Sequence, residues 1–312
     1  MIYDVMDERF KPCTFGDKRL ETLYAGCRWA EGPVYFPAGR FLLWSDIPND
    51  RLLRWDETTG TVGVFRCPAG FPNGNTIDSH GRLVSAEQGN RRVTRTEHDG
   101  SVTVLAERYD DRRLNSPNDV IVRSDGTIFF SDPVYGILSD YEGNRGSSEI
   151  GASNVYRIDP ASGKVSLAAD GFNNPNGLVL TPDEQQLYVS DSGANLIRVF
   201  SVGEDGALSD DRLFASGPED GGFDNIRLDD AGRLWAAAMA DGVHCYDPDG
   251  TLLGRIRVPE VVANITFGGP RRNRMFLAAT TSMYSLLMSV TGAQRHFAPT
   301  GAPGLRRSEQ IS

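Results

Sequence analysis

The sequence predicts an all-β protein, a six-bladed β-propeller with four-stranded antiparallel blades. Three observations support this prediction: a short phrase recurs six times, strand-like segments flank each copy, and helical periodicity is scarce. The 312 residues are enough for one such unit, because several all-β architectures of this size fold as a single domain. A β-sandwich with coincidental turns is the alternative fold.

The recurring phrase is a turn followed by an apolar run of strand length, often aromatic or β-branched. Its six copies are GRFLLWSD from Gly39, GRLVSAEQ from Gly81, GTIFFSDP from Gly126, QQLYVSDS from Gln185, GRLWAAAM from Gly232 and NRMFLAAT from Asn273. A short apolar segment before each copy, such as 34–36 or 178–180, pairs with it as a hairpin. Further strand-like pieces follow most copies, which gives four strands per repeat of roughly 45 residues.

We expect residues 1–312 to form one propeller domain, because no interdomain linker is visible. Residues 1–22 precede the first repeat as an N-terminal extension, and 298–312 form a tail that we expect to be flexible. The segment 137–151, ILSDYEGNRGSSEIG, is polar and makes the third repeat the longest. We interpret it as a loop at one mouth of the propeller.

Composition excludes several classes of partner. The net charge of −10 repels phosphate backbones and acidic membranes, so we expect neither a nucleic-acid partner nor a membrane partner. No apolar run approaches the ~20 residues that span a bilayer, and residues 1–10 lack the pattern of a secretory signal, which predicts a cytoplasmic protein.

The cysteines are scattered, and we expect small buried or partly buried thiols at Cys13, Cys27, Cys67 and Cys245. The sequence does not set the oligomeric state.

One polar residue opens the first strand of each repeat. These residues are Glu31, Asn73, Asn118, Asn176, Asp224 and Asn264. They are 42, 45, 58, 48 and 40 residues apart, one blade each time. Because first strands line the channel of a propeller, these side-chain oxygens should converge on the axis as a ring. Turn formation is the alternative for the Pro-Asn-Gly segments 72–74 and 175–177, but it does not explain all six positions.

The predicted ring favours a divalent cation. Burying Glu31 and Asp224 together would be costly without one, because of desolvation and like-charge repulsion. Two carboxylates with neutral amide oxygens suit a hard cation of irregular geometry, which favours Ca²⁺ over Mg²⁺. Zn²⁺ and Mn²⁺ remain alternatives, since affinity for a given site is not exclusive.

A second set of carboxylates is expected near the same mouth, because the end of a second strand lies beside the start of the first. The set comprises Asp46, Glu87, Asp132 and Asp191, each 14 or 15 residues after its ring partner. Ordinary turn capping is an equal alternative for each of them. From the two sets, Asn73, Asn118, Asp132 and Asp191 are the candidates for substrate contact.

Five segments carry a family resemblance: WAEGPVYF around Glu31, NSPNDVIV around Asn118, FSDPVYGI from Phe130, NNPNGLVL around Asn176 and FDNIRLDDAGRLW around Asp224. By these segments the chain resembles the gluconolactonase/regucalcin (SMP-30) family from Trp29 to about Ser285. The stretch SAEQGNRRVTR from Ser85 is more similar to the bacterial gluconolactonase branch. The resemblance implies a six-bladed propeller with one catalytic divalent cation, usually calcium, and hydrolysis of sugar lactones.

The resemblance also implies roles for single residues. Glu31, Asn176 and Asp224 match the family's metal ligands, and Asn118 matches a residue that binds metal or substrate. Asp224 further matches the proposed proton-transfer residue. The chain departs from the pattern at Gln88, where the branch usually has His, and at Ser116, where the regucalcin branch has an arginine that contacts the sugar.

The chemistry expected from the ring is lactone hydrolysis, with the metal as a Lewis acid on the lactone carbonyl and Asp224 as a proton relay. Because coordination lowers a carboxylate's pKa, attack by a metal-activated water without Asp224 as base stays open. Two rival functions also stay open: a metal-dependent propeller esterase or phosphotriesterase, and a non-enzymatic calcium-binding propeller.

Overall fold

The computed structural model describes residues 2–16, 19–218 and 221–293. Within these ranges the strands form six antiparallel sheets of at least four strands each, besides one small hairpin. The first strands of neighbouring sheets contact one another around a full circle, so the sheets are the blades of a six-bladed propeller. The predicted fold class is confirmed.

The first three blades contain strands β3 to β10 and β13 to β16. The first blade comprises β3 to β6, which are Ala30–Phe36, Phe41–Asp46, Arg51–Asp56 and Val62–Arg66. The second comprises β7 to β10, which are Pro72–Ile77, Leu83–Glu87, Arg92–Thr96 and Val102–Ala106. The third comprises β13 to β16, which are Val120–Val122, Ile128–Asp132, Ser153–Ile158 and Val165–Phe172.

The other three blades follow in the same order. The fourth comprises β17 to β20, which are Pro175–Leu180, Gln186–Asp191, Leu196–Val202 and Leu208–Ser216. The fifth comprises β21 to β24, which are Ile226–Leu228, Leu234–Ala237, Val243–Tyr246 and Leu252–Ile256. The sixth begins with β25 to β27, which are Val262–Gly268, Arg274–Ala279 and Ser282–Leu287.

The remaining elements are short. Strands β1 and β2 are Tyr3–Val5 and Glu21–Ala25, and the hairpin strands β11 and β12 are Arg108–Tyr109 and Arg112–Arg113. The helices are the 3₁₀ turns Glu8–Cys13 and Ile47–Asn49 and the α-helical turn α1, Tyr135–Leu138. No helix in the described part of the chain is long and apolar enough to cross a membrane.

The second strand of each blade carries the recurring phrase and is buried on both faces. In β4, Leu42 and Trp44 are fully buried in a cluster that also includes Phe276 of the sixth blade. Because neighbouring blades cover both faces, this strand is a continuous apolar run, whereas the outer strand β20 is mostly exposed and polar. The core therefore lies between the blades and surrounds the axis.

The N-terminal segment closes the ring of blades. Strand β2 pairs with β27, with Glu21 opposite Ser285, and becomes the fourth strand of the sixth blade. Strand β1 adds a fifth strand to the fifth blade, with Tyr3 opposite Ile256. The N-terminal extension is thus held by two blades, while the expected flexible tail 298–312 lies outside the described residues.

The cysteine expectation holds for three positions and is wrong for the fourth. Cys13, Cys27 and Cys245 are buried, and Cys67 is exposed in the connection between the first two blades. That connection runs over the surface after an edge strand, where no neighbouring blade covers it.

Candidate metal centre

All six predicted ring residues are buried at the start of a first strand. Glu31, Asn73, Asn176 and Asn264 lie in β3, β7, β17 and β25, and Asn118 and Asp224 lie two residues before β13 and β21. Their exposed fractions lie between 2% and 8%. Each blade therefore contributes one side-chain oxygen that could ligate a cation, at the same end of its innermost strand.

Hydrogen bonds join the ring positions of neighbouring blades. Asn264 Nδ2 donates to Glu31 Oε2 at 2.7 Å, which links the sixth blade to the first. Gly74 N donates to Asn118 O at 2.7 Å, which links the second blade to the third. Gly177 N donates to Asp224 O at 3.3 Å, from the fourth blade to the fifth.

Serines of the second strands reinforce these links. Ser45 Oγ donates to Asn73 O at 2.7 Å, and Ser131 Oγ donates to Asn176 O at 2.7 Å. Ser190 Oγ donates to Asp224 O. These bonds use the backbone carbonyls of the ring residues, so they do not occupy the side-chain oxygens of the ring.

The glycines that follow ring residues allow the blades to meet. Gly32 has φ of +51°, and a Cβ there would lie 1.9 Å from Asn73 O. A Cβ at Gly74 would lie 2.6 Å from Asn118 O. The Asn73-Gly74 pair therefore does not serve the ordinary turn that was its alternative interpretation, because the glycine admits the backbone of the next blade.

The two carboxylates of the ring have raised pKa values. Burial raises the pKa of Glu31 to about 8, although hydrogen bonds from Asn264 and Gly32 oppose the rise. Burial and then the charge of Glu31 raise the pKa of Asp224 well above its ordinary value, against a hydrogen bond from Asn176. These contacts bring Glu31, Asn176, Asp224 and Asn264 into one site, where a cation would displace protons.

Two amide oxygens of the ring are free to accept a hydrogen bond or to ligate a cation. Asn73 Oδ1 and Asn264 Oδ1 are buried and accept no hydrogen bond from the described residues. An orphaned buried acceptor costs about 1–3 kcal/mol. Across the described ranges no cluster of three or more His, Cys, Asp or Glu side chains is positioned to hold a metal. A cation at this ring would therefore need the Asn oxygens beside its two carboxylates, and the all-oxygen set fits a hard divalent ion.

The second set of carboxylates is engaged with backbone. Both oxygens of Asp132 accept backbone N–H groups, from Asn115 at 2.8 Å and Ser116 at 2.9 Å. Asp191 does the same with Asn173 at 2.8 Å and Asn174 at 2.9 Å.

In the first blade, Arg28 N donates to Asp46 Oδ1 at 2.8 Å, whereas Glu87 of the second blade accepts from the side chains of Thr94 and Arg92 at 2.8 Å and 2.7 Å. The backbone contacts favour the capping alternative for Asp46, Asp132 and Asp191, which fix neighbouring segments of their own blades. Substrate contact by Asp132 and Asp191 stays a prediction.

The loop 137–151, called the mouth loop below, reaches across the propeller. Tyr141 OH donates to Arg28 O at 3.2 Å, and the Arg28 guanidinium lies 5.2 Å from the centre of the Tyr141 ring. Asn144 Nδ2 donates to Gly89 O at 3.1 Å. A loop of the third blade is thus anchored to the first two, at the end where the ring lies.

Residues near this mouth that the sequence prediction did not include are Glu142 and Tyr135. The charge of Glu142 raises the pKa of both Glu31 and Asp224, and burial raises the pKa of Glu142 itself. Burial raises the pKa of Tyr135 to about 12, helped by the charge of Asp224. The polar composition of the mouth loop located it correctly at a mouth, but nothing in its pattern singled out Glu142.

The two departures from the family pattern lie close together. A Cβ at Gly136 would be 2.6 Å from Gln88 Cβ and 2.9 Å from Ser116 Cβ. Both amide atoms of Gln88 are buried without a partner among the described residues. Ser116 Oγ donates to Pro133 O at 2.6 Å and accepts from Gly136 N at 3.0 Å. Gln88 and Ser116 therefore support the start of the mouth loop.

The fold and the ring together define a six-bladed propeller with an oxygen-rich candidate site on its axis. The chain belongs to the SMP-30/gluconolactonase/LRE-like family, whose model matches residues 29–281. The family expected from the sequence is confirmed.

Individual relatives span most of the chain. A gluconolactonase of Zymomonas mobilis is 30% identical over 286 residues, 84% of this chain and 79% of the relative. A pentonolactonase of Haloferax volcanii is 34% identical over 260 residues, 80% of this chain and 81% of the relative. The structure of a gluconolactonase from Xanthomonas campestris matches with a TM-score of 0.86 and 39% identity, covering 92% of this chain and 95% of that one.

Proposed function

We propose that this protein is a divalent-cation-dependent lactonase that opens the ring of a sugar lactone at the mouth of its axial channel. The enzyme class rests on the gluconolactonase and pentonolactonase relatives, which are 30% and 34% identical over most of both chains. Sugar lactones as substrates are inferred from the names of the same relatives. Calcium is the proposed ion, with Zn²⁺ or Mn²⁺ as alternatives in vitro.

The observation that carries the proposal is the burial of two carboxylates in one site beside an amide side chain. Burial raises the pKa of Glu31 and Asp224, the charge of Glu31 raises that of Asp224 further, and Asn176 donates a hydrogen bond to Asp224. The buried Oδ1 atoms of Asn73 and Asn264, which have no donor among the described residues, would accept hydrogen bonds from water or substrate beside the cation. Glu31, Asn176 and Asp224 would hold the cation, with Asn118 at the edge of the site.

When bound, the cation would supply Lewis-acid stabilisation of the negative charge that develops on the lactone carbonyl oxygen. The chain itself supplies orientation and proton transfer. Asp224 would take a proton from the attacking water and return it to the ring oxygen as the C–O bond breaks, so that water and lactone give one hydroxy acid. The hydrogen bond from Asn176 would hold the Asp224 side chain in place for both transfers.

The mouth loop would cover the reacting groups. Its anchors on the first two blades place Glu142 near Glu31 and Asp224, and Tyr135 borders Asp224. A partly enclosed mouth strengthens electrostatic interactions with the developing charge, because water is displaced from it. Polar groups of this loop would then contact the hydroxyl groups of a sugar lactone.

The test is acid release from D-glucono-1,5-lactone, followed in a pH-stat and corrected for spontaneous hydrolysis. The purified protein should accelerate acid release, lose the acceleration with EDTA and regain it with added calcium. Asp249→Asn, at an exposed position of the fifth blade, is the matched control for Asp224→Asn and should keep full activity. Activity unaffected by chelator would refute the metal dependence.

The rival hydrolase function is tested with an organophosphate triester under the same conditions. Faster turnover of the triester than of the lactone would replace the lactonase proposal with a phosphotriesterase. Calcium binding without turnover of either substrate would leave the non-enzymatic alternative.

A further inference from the structure

The axial channel has a second opening, at the far end of the first strands from the ring. A cavity of about 510 Å³ lies there, lined by residues of all six blades. None of the six ring residues lines it. Its size falls within the ~300–1,000 Å³ of small-molecule sites, which are mostly apolar with a few placed polar groups.

Six of the residues that line this cavity occupy equivalent positions in the six blades. The third residue after each ring residue lines the cavity, and these six form what we call the collar: Val34, Thr76, Ile121, Val179, Arg227 and Phe267. Four collar members are aliphatic or aromatic. Arg227 is the charged member of the collar. Asp78 and Arg272 also line the cavity, but each is paired within the protein, Asp78 with Arg82 at 2.7 Å and Arg272 with Gly292 O.

The Arg227 guanidinium is only partly satisfied by the protein. Its Nη1 donates to Ile226 O at 2.8 Å and lies 3.5 Å from both Leu178 O and Asp119 Oδ2. Within the described residues no acceptor is found for its Nε or Nη2. The side chain is 17% exposed, so solvent in the cavity reaches it.

The contact with Asp119 does not satisfy the remaining N–H groups of the Arg227 guanidinium. Its Oδ2 accepts from Leu178 N at 2.9 Å and from Asn225 Nδ2 at 2.9 Å, and its contact with Arg227 is single and long. A close carboxylate partner of arginine usually sits at about 2.7–2.9 Å and often binds through two parallel hydrogen bonds. The free edge of Arg227 is therefore available to an anion in the cavity.

We propose that this cavity is a second small-molecule site, separate from the ring, that binds an aliphatic monocarboxylate. The carboxylate accepts hydrogen bonds from Arg227, and the hydrocarbon packs against Val34, Ile121, Val179 and Phe267. Polar side chains also line the cavity, but Asn75 and Asp78 already hydrogen-bond within the protein, so a sugar acid would find few partners for its hydroxyl groups. The site thus differs in chemistry from the mouth where a sugar lactone would react.

The experiment is calorimetric titration of the full-length protein with sodium octanoate, with sodium gluconate as the polar comparison. Arg227→Gln should weaken octanoate binding at least about tenfold, because hydrogen bonds to a charged group contribute about 1.5–3 kcal/mol. Arg272→Gln is the matched control, since Arg272 lines the same cavity but its Nη1 donates to Gly292 O. That control should change the affinity less than about threefold.

A second variant, Val179→Trp, fills the cavity without removing the charge and should also abolish octanoate binding. The thermal transition of Arg227→Gln shows whether that variant folds. If it does not fold, Val179→Trp alone tests the proposal. The proposal is overturned if the wild type binds no octanoate, if Arg227→Gln or Val179→Trp binds it as the wild type does, or if gluconate binds as tightly.

Discussion

Replacing Glu31 by Gln should stabilise the protein in the absence of metal and weaken its binding of calcium. The pKa of Glu31 rises from 4.5 to about 8 in the fold because of burial. Folding therefore favours the protonated form, so the contribution of Glu31 to the stability of the metal-free protein is fully present below pH 4.5 and is lost as the pH rises through 8. At about 1.4 kcal/mol per pH unit, ionised Glu31 costs on the order of 4 kcal/mol at pH 8. Gln is isosteric and carries no charge, so it avoids this cost.

The assay is urea unfolding in EDTA at pH 5 and pH 8, with calcium titration of the same samples. Glu31→Gln should have the higher free energy of unfolding at pH 8, little change at pH 5, and calcium affinity reduced at least about tenfold. Glu107→Gln, at an exposed position, should match the wild type in every measurement. Equal unfolding curves at pH 8 together with unchanged calcium affinity would show that Glu31 only lines the channel.

Three further predictions concern the mouth. Asp224→Asn should bind calcium more weakly and lose about 10²- to 10⁴-fold of kcat even at saturating calcium, whereas restoration by excess calcium would make Asp224 only a ligand. Shortening the mouth loop should shift relative rates among aldonolactones at unchanged calcium affinity, and a proportional loss on every substrate would indicate mere support of the blade. Asp132→Asn should make the free energy of unfolding less dependent on pH near 7, because burial raises the pKa of Asp132 to about 7 and Asn carries no charge. At pH 5 the variant should lose about 1–3 kcal/mol, because one of two backbone N–H groups loses its acceptor. Unchanged stability with altered substrate preference would instead assign Asp132 to substrate.

The fold and the ring positions were predictable because they repeat. Each blade presents the same register of turn and apolar strand, so one polar residue per repeat must fall at one radius of the propeller. Glu31 and Asp224 are 193 positions apart in numbering yet lie in one site, and the repeat alignment and the family resemblance both related them before the structure.

Other features depend on tertiary placement that a local pattern does not record. The sequence places strand β2 in an N-terminal extension, because its partner β27 lies at the other end of the chain and no local pattern relates the two. Asp132 reads equally as a ligand or a cap until its two backbone donors are placed. Glu142 belongs to a polar loop, and its charge matters only because the anchors at Tyr141 and Asn144 hold that loop at the mouth.

The central claim is that the ring holds a divalent cation on the propeller axis. An anomalous difference map from crystals grown with calcium tests it most directly. The account predicts one peak on the axis, about 2.3–2.6 Å from oxygens of Glu31, Asn176 and Asp224. A map with calcium bound elsewhere, or with no peak between Glu31 and Asp224 at saturating calcium, would contradict it.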